Sequence, residues 1–207
     1  MKYKDYLEKN HSFDKKTMLG IFCMIIVIGG VFGFLYEYLF YFFNGGMKEF
    51  YYRGGNFLPW INIYATGSVM IYILTYKYRK NPLKVFLISV ISTGLLEYFS
   101  GLGIYIIGDG LRYWDYNTEI LNFGNINGFV CLRSVMFFGL SALLLMYVIV
   151  PFCFHVANKS NKKVFLIVTI SICSIFLADE FYNLIFTKLF NLPKATTIYK
   201  SIGIHYM

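Results

Sequence analysis

Apolar positions in this chain come in long, nearly uncharged runs: Met18–Phe43, Leu58–Tyr76, Leu83–Ile107, Phe129–Phe154 and Val164–Phe186. A hydrocarbon core about 30 Å thick needs roughly 20 apolar residues in a helix, and most of these runs supply that length. The second run is the least apolar, with Pro59 near its start and Asn62 and Thr66 inside it. The pattern predicts an all-α fold, a polytopic transmembrane helix bundle of about five spans, or six if the C-terminal segment returns half-buried. The expected organisation is a cytoplasmic N-terminal segment (1–17), a transmembrane helical domain (18–186) and a C-terminal tail (187–207). The first run is too long and too aromatic for a cleaved signal peptide and reads as an uncleaved anchor.

Composition agrees with this class. Of 207 residues, 57% are hydrophobic and 14% charged, well below the roughly 25% charge of a soluble domain. The net charge of +8 therefore points to orientation and membrane lipid contact, with no nucleic acid partner. Lys2, Lys4, Lys9, Lys15 and Lys16 precede the first run; Lys77, Arg79, Lys80 and Lys84 lie between the second and third, and Lys159, Lys162 and Lys163 between the fourth and fifth. Fewer cations flank the opposite ends: Lys48, Arg53, Arg112, Lys188, Lys194 and Lys200. By the positive-inside rule the chain is expected to be a multi-pass membrane protein with its N-terminus in the cytoplasm, and its abundant Lys, Asn, Ile, Tyr and Phe point to an AT-rich bacterial genome. Cys23, Cys131, Cys153 and Cys173 are scattered in or beside apolar runs, as are the three histidines along the chain. No metal set, phosphate loop or nucleophile elbow is visible, so neither cofactor nor catalytic residue is assigned.

The candidate chemistry lies in acids inside the runs: Glu37, Glu97, Asp179 and Glu180. At a rise of ~1.5 Å per residue, Glu37, Glu97 and Asp179 sit roughly 28, 21 and 22 Å from the cytoplasmic starts of their runs, in the outer half of the bilayer. Ionisable groups there are expensive and face the bundle interior. Gly29, Gly33 and Glu37 recur at helical spacing, as do Thr93, Glu97 and Gly101, which puts both acids on small-residue packing faces. Arg53, Arg112 and Arg133 fall near the same outer level. The expectation is an outward-facing polar chamber walled by carboxylates and closed by arginines. Structural ion pairs that weld the bundle account for the same residues and remain an open alternative. The long connection Gly108–Gly128, with Trp114-Asp115-Tyr116 at its centre and Asn122, Asn125 and Asn127 beyond, reads as a functional loop folded over that chamber, its asparagines serving turns or a polar ligand.

The ordered motifs Gly33-Phe-Leu-Tyr-Glu37, Arg53-Gly54-Gly55-Asn56-Phe57-Leu58-Pro59, Leu96-Glu97-Tyr98, Trp114-Asp115-Tyr116 and Asn127-Gly128-Phe129-Val130-Cys131-Leu132 resemble the ABC transporter type IV permease family, over roughly residues 20–155. The resemblance implies a transport role, which for this chain is read as a non-catalytic permease-like subunit served by a separate cytoplasmic ATP-binding subunit. Its substrate or ion chamber would comprise Glu37, Arg53, Glu97, Trp114, Asp115, Tyr116, Asn122, Asn127, Arg133, Asp179 and Glu180. Two other readings stand beside it: an intramembrane enzyme acting on a lipid or envelope precursor, and a membrane interaction or sensing module.

Overall fold

A computed structural model describes residues 3–8, 12–44 and 54–204. The chain is all-helical, with 74% of it in helix and, among the described residues, one isolated antiparallel bridge, Ile126–Val130. The helices are α1 (Tyr3–Glu8), α2 (Lys15–Asn44), α3 (Asn62–Thr75), α4 (Pro82–Ile107), α5 (Leu132–Lys159), α6 (Lys162–Leu189) and α7 (Ala195–Ser201). Helix occupies all five apolar runs. Among the described residues four helices, α2, α4, α5 and α6, are long and apolar enough to cross a membrane. The remaining run folds as the 14-residue α3 followed by a 3-10 turn at Tyr76–Tyr78, together rising about 27 Å. The segments divide into two compact units: Met1–His11 with Gly67–Phe152, and Ser12–Thr66 with Cys153–Met207.

In the first unit α4 packs against α5. Asn81 caps α4, its side chain accepting from the Lys84 N–H at 3.1 Å, and Pro82 opens the first turn, where a missing N–H is harmless. The buried face of α4 is Val85, Ser89, Thr93, Glu97 and Gly101; Leu83, Leu87, Ile91, Leu95 and Phe99 are exposed. Each set repeats every four residues and the two are offset by two, about 200° around the helix, so a small polar stripe opposes a leucine-rich face suited to lipid. Small residues set the approach to α5: a Cβ on Gly139 would lie 2.6 Å from the Phe86 ring. The helix α5 starts three residues later than its apolar run because Val130 bridges to Ile126 and Cys131 is an extended N-cap in a capping box with Ser134. A π-turn at Leu145–Ile149 precedes Pro151, which lacks the N–H that continues the helical ladder. The Tyr6 hydroxyl of α1 donates to the Met146 carbonyl in that turn at 2.7 Å, and the buried Arg79 guanidinium donates to the Tyr6 carbonyl at 2.9 Å.

In the second unit α2 packs against α6. Gly20 faces Phe165, and Gly30 lies between Trp60 and Phe176; Trp60, Ala65 and Phe176 form a buried cluster with Ile26, Val27 and Val31 packed on it. Asp14 caps α2 through the Lys16 and Thr17 N–H groups and pairs with Lys162, at the start of α6, at 2.9 Å. The Thr17 hydroxyl and then Lys162 hold the Asp14 carboxyl well below the usual carboxylate range. Near its end α6 runs through a π-turn at Tyr182–Phe186, and the tail closes with α7, whose buried Ala195 donates its N–H to Asn183 Oδ1 at 2.9 Å.

Candidate functional site

Among the described residues, each unit holds a polar centre built on a buried span acid, and the two differ in the chemistry of their hydrogen-bond partners. In the first, Glu97 of α4 is 4% exposed. Its Oε1 accepts from the Tyr116 hydroxyl, a short contact, and its Oε2 from the Ser134 hydroxyl at 2.7 Å. Tyr116 comes from the loop between α4 and α5 and Ser134 from the first turn of α5, so the carboxylate joins three elements. Burial first, then the adjacent Glu97 carboxylate, pushes the Tyr116 hydroxyl far above the ordinary tyrosine value. A buried tyrosine in that position is a neutral O–H donor.

The loop that delivers Tyr116 is stitched to itself. The Trp114 indole donates to the Phe129 carbonyl at 2.9 Å, and the Tyr116 N–H donates to the Gly128 carbonyl at 3.0 Å. Asp115 accepts from the Asn117 backbone and side chain at 3.0 and 2.7 Å, with Arg112 3.5 Å away. Asn125 accepts from the Gly128 N–H and donates to Asn117, so it serves the loop's own turns. Asn127 and Gly128 both adopt positive φ, 55° and 76°; a Cβ on Gly128 would meet Asn117, Asp115 and Arg112 within 2.3–2.6 Å. Asn127 reaches the Tyr98 hydroxyl at 3.4 Å, and Asn122 is half-buried.

Arg112 and Arg133 of this unit engage loop groups. Arg133 pairs with Glu119 at 2.6 Å, donates to the Ile120 carbonyl at 2.8 Å and lies over the Tyr116 ring. Arg112 donates to the Asn127 carbonyl at 2.9 Å and covers the Phe129 and Tyr105 rings. Among the described residues no cation stands within ion-pair distance of Glu97.

In the second unit, Asp179 and Glu180 sit side by side on α6, each 7% exposed. Asp179 Oδ1 accepts from the Phe57 N–H and the Asn183 amide, both at 2.9 Å. Its Oδ2 accepts from the Leu58 N–H at 2.9 Å and the Trp60 indole at 3.0 Å. Four N–H donors fill the four acceptor positions of one carboxylate, which anchors the segment ahead of α3. Glu180 Oε1 accepts from Asn56 at 2.8 Å. The Tyr199 hydroxyl of α7 donates to the Phe57 carbonyl, and burial, then Asp179, raises it above the ordinary tyrosine value. Glu37 is half-buried on α2, one turn beyond Gly33, whose Cβ would lie 2.2 Å from the Tyr64 ring. Arg53 lies outside the described residues.

Ser134, Asn56, Trp60, Asn183 and Tyr199 complete these centres and are not among the site residues expected from the sequence. Two carried a local signal: Asn183 is four residues from Asp179 on one helix face, and Ser134 is the third residue of a capped helix. Among the described residues no group of three or more His, Cys, Asp or Glu side chains is placed to hold a metal.

A family model described as "Putative ABC-transporter type IV" matches residues 24–184. No curated protein and no solved structure matches the chain. The match runs from within α2 to the π-turn of α6 and takes in the acids of both polar centres and every motif that carried the resemblance, but not Tyr199. The chain belongs to the ABC-transporter type IV family of membrane proteins.

Proposed function

We propose that this chain is a permease-like transport subunit of a bacterial cell membrane, with its N-terminus in the cytoplasm and ATP hydrolysis supplied by a separate cytoplasmic subunit. The observation that supports it is Glu97: a carboxylate on a membrane-crossing helix, 4% exposed, held by two hydroxyls, with no cation at ion-pair distance among the described residues. A charge in a span costs about 2.5–3.5 kcal/mol on insertion scales, so such a residue marks a candidate functional site. Tyr116 and Ser134 are its immediate partners, and Trp114, Asp115 and Asn127 build the loop that holds Tyr116 in place. Such a group suits a cation, an amine or a proton as the transported or coupled species. Asp179, saturated by N–H donors, serves as an anchor in this reading.

The test is purification of the tagged full chain from native membranes, followed by ATPase measurement in reconstituted vesicles. A nucleotide-binding protein should accompany the chain, and its ATP turnover should fall at least tenfold in Glu97→Gln while the complex stays intact. Absence of any ATPase, or wild-type turnover in that variant, would overturn the reading.

A further inference from the structure

Ser134 Oγ has one hydrogen to give and two acceptors in reach: Glu97 Oε2 at 2.7 Å and the Cys131 carbonyl at 2.8 Å. It also lies 3.3 Å from the Cys131 N–H, which donates to it. A hydroxyl donates once and accepts up to twice, so the same heavy-atom positions serve two proton arrangements. With Glu97 ionised, Ser134 donates to Oε2 and Tyr116 to Oε1. With Glu97 protonated, the carboxyl O–H donates to Ser134 Oγ, the Ser134 hydrogen turns to the Cys131 carbonyl, and Tyr116 still donates to Oε1. One proton is added to Oε2, one hydroxyl rotates, and no other bond changes.

We infer that Glu97 is a reversible proton-binding site inside α4, with Ser134 as the hydroxyl that exchanges partners when the proton arrives. Asp179 offers the contrast within the same chain. Its four partners are the Phe57 and Leu58 amides, the Trp60 indole and the Asn183 amide, and an N–H donor cannot accept a proton in return. Protonating Asp179 would turn an O–H against an N–H. The two span acids are therefore built for different duties: one to hold a charge, the other to gain and lose a proton at little structural cost.

The ionisable groups facing Glu97 are Tyr116 and Glu119 from the loop and Arg133 in the first turn of α5; Cys131, at the head of that helix, faces Tyr116. Arg133 and Glu119 are engaged with one another at 2.6 Å, which leaves the hydroxyl pair as the direct partners of the carboxyl. That the proton is the species coupled to transport rests on the function proposed above; the proton-binding site does not.

The experiment is infrared difference spectroscopy of the full chain in lipid nanodiscs between about pH 3 and about pH 9, read at the carbonyl stretch of a protonated carboxylic acid. The wild type should show a titrating band that is missing in Glu97→Gln. Ser134→Ala and Tyr116→Phe keep the carboxyl but each removes one hydrogen-bond partner, so the band should persist at a displaced frequency. Identical wild-type and Glu97→Gln spectra, or a Ser134→Ala band at the wild-type frequency, overturn the assignment. A Glu97 band that titrates as expected, in a chain whose ATPase turnover ignores Glu97→Gln, would leave the proton site standing and remove the transport reading.

Discussion

Replacing Asp179 with asparagine changes one oxygen into an NH2 group and little else in shape, yet it should be among the most damaging single changes in the second unit. The native carboxylate serves four N–H donors. An asparagine oxygen accepts two of them, and its NH2 accepts none. Two donors are left without a partner, at about 1–3 kcal/mol each where water is excluded, or about 2–6 kcal/mol in all. Trp60 and Asn183 are buried, while the Phe57 and Leu58 amides are only partly so, and water reaching those two amides would bring the loss toward the lower figure. Against a typical stability of about 5–15 kcal/mol this is a large fraction. Glu97→Gln is the matched comparison, because hydroxyl partners reorient: one can donate to the amide oxygen while the other accepts from its NH2, and the expected loss is below about 1 kcal/mol. Both variants are read by equilibrium unfolding of purified protein in detergent, with limited proteolysis of the segment 54–61 as a local probe. The reasoning fails if Asp179→Asn unfolds within about 1 kcal/mol of wild type, or if Glu97→Gln loses as much as Asp179→Asn.

Gly33→Ala places a Cβ 2.2–2.6 Å from three Tyr64 side-chain atoms and should lower the unfolding free energy by about 1–3 kcal/mol, whereas Gly103→Ala, with nothing within 4 Å of its added Cβ, should be neutral or stabilising by up to about 1 kcal/mol; comparing the two unfolding midpoints checks this. Stability should also fall at alkaline pH: the raised Tyr116 hydroxyl stays neutral in the fold while an unfolded tyrosine ionises from about pH 10, so its contribution is complete below that value and is lost as pH rises above it. Unfolding midpoints measured across that range should decline less steeply in Tyr116→Phe, and equal slopes would refute the linkage.

Periodicity alone was enough to read which face of α4 is buried. Thr93, Glu97 and Gly101 recur every fourth residue, and the structure buries all three together with Ser89 and Val85. The spans were legible for the same reason: a bilayer demands length and apolarity, and both are properties of a short stretch of chain. The arginines show where such reading stops. Arg112 and Arg133 were expected to close over span carboxylates, but their side chains go to Asp115, Glu119 and loop carbonyls. That choice depends on the path of the connection between α4 and α5, which positive-φ residues such as Asn127 and Gly128 bend back on itself.

The sequence by itself determined that this is a membrane protein of several helices with acids on their packing faces, because hydropathy and helical spacing are local quantities. Only the tertiary structure decided what each acid meets. Asp179 finds four N–H groups, three of them from a segment more than a hundred residues earlier, and Glu97 finds two hydroxyls, from a loop and from the next helix. A carboxylate among N–H donors and a carboxylate among hydroxyls are chemically different groups, and that difference is set by contacts distant in the chain, which no local pattern encodes.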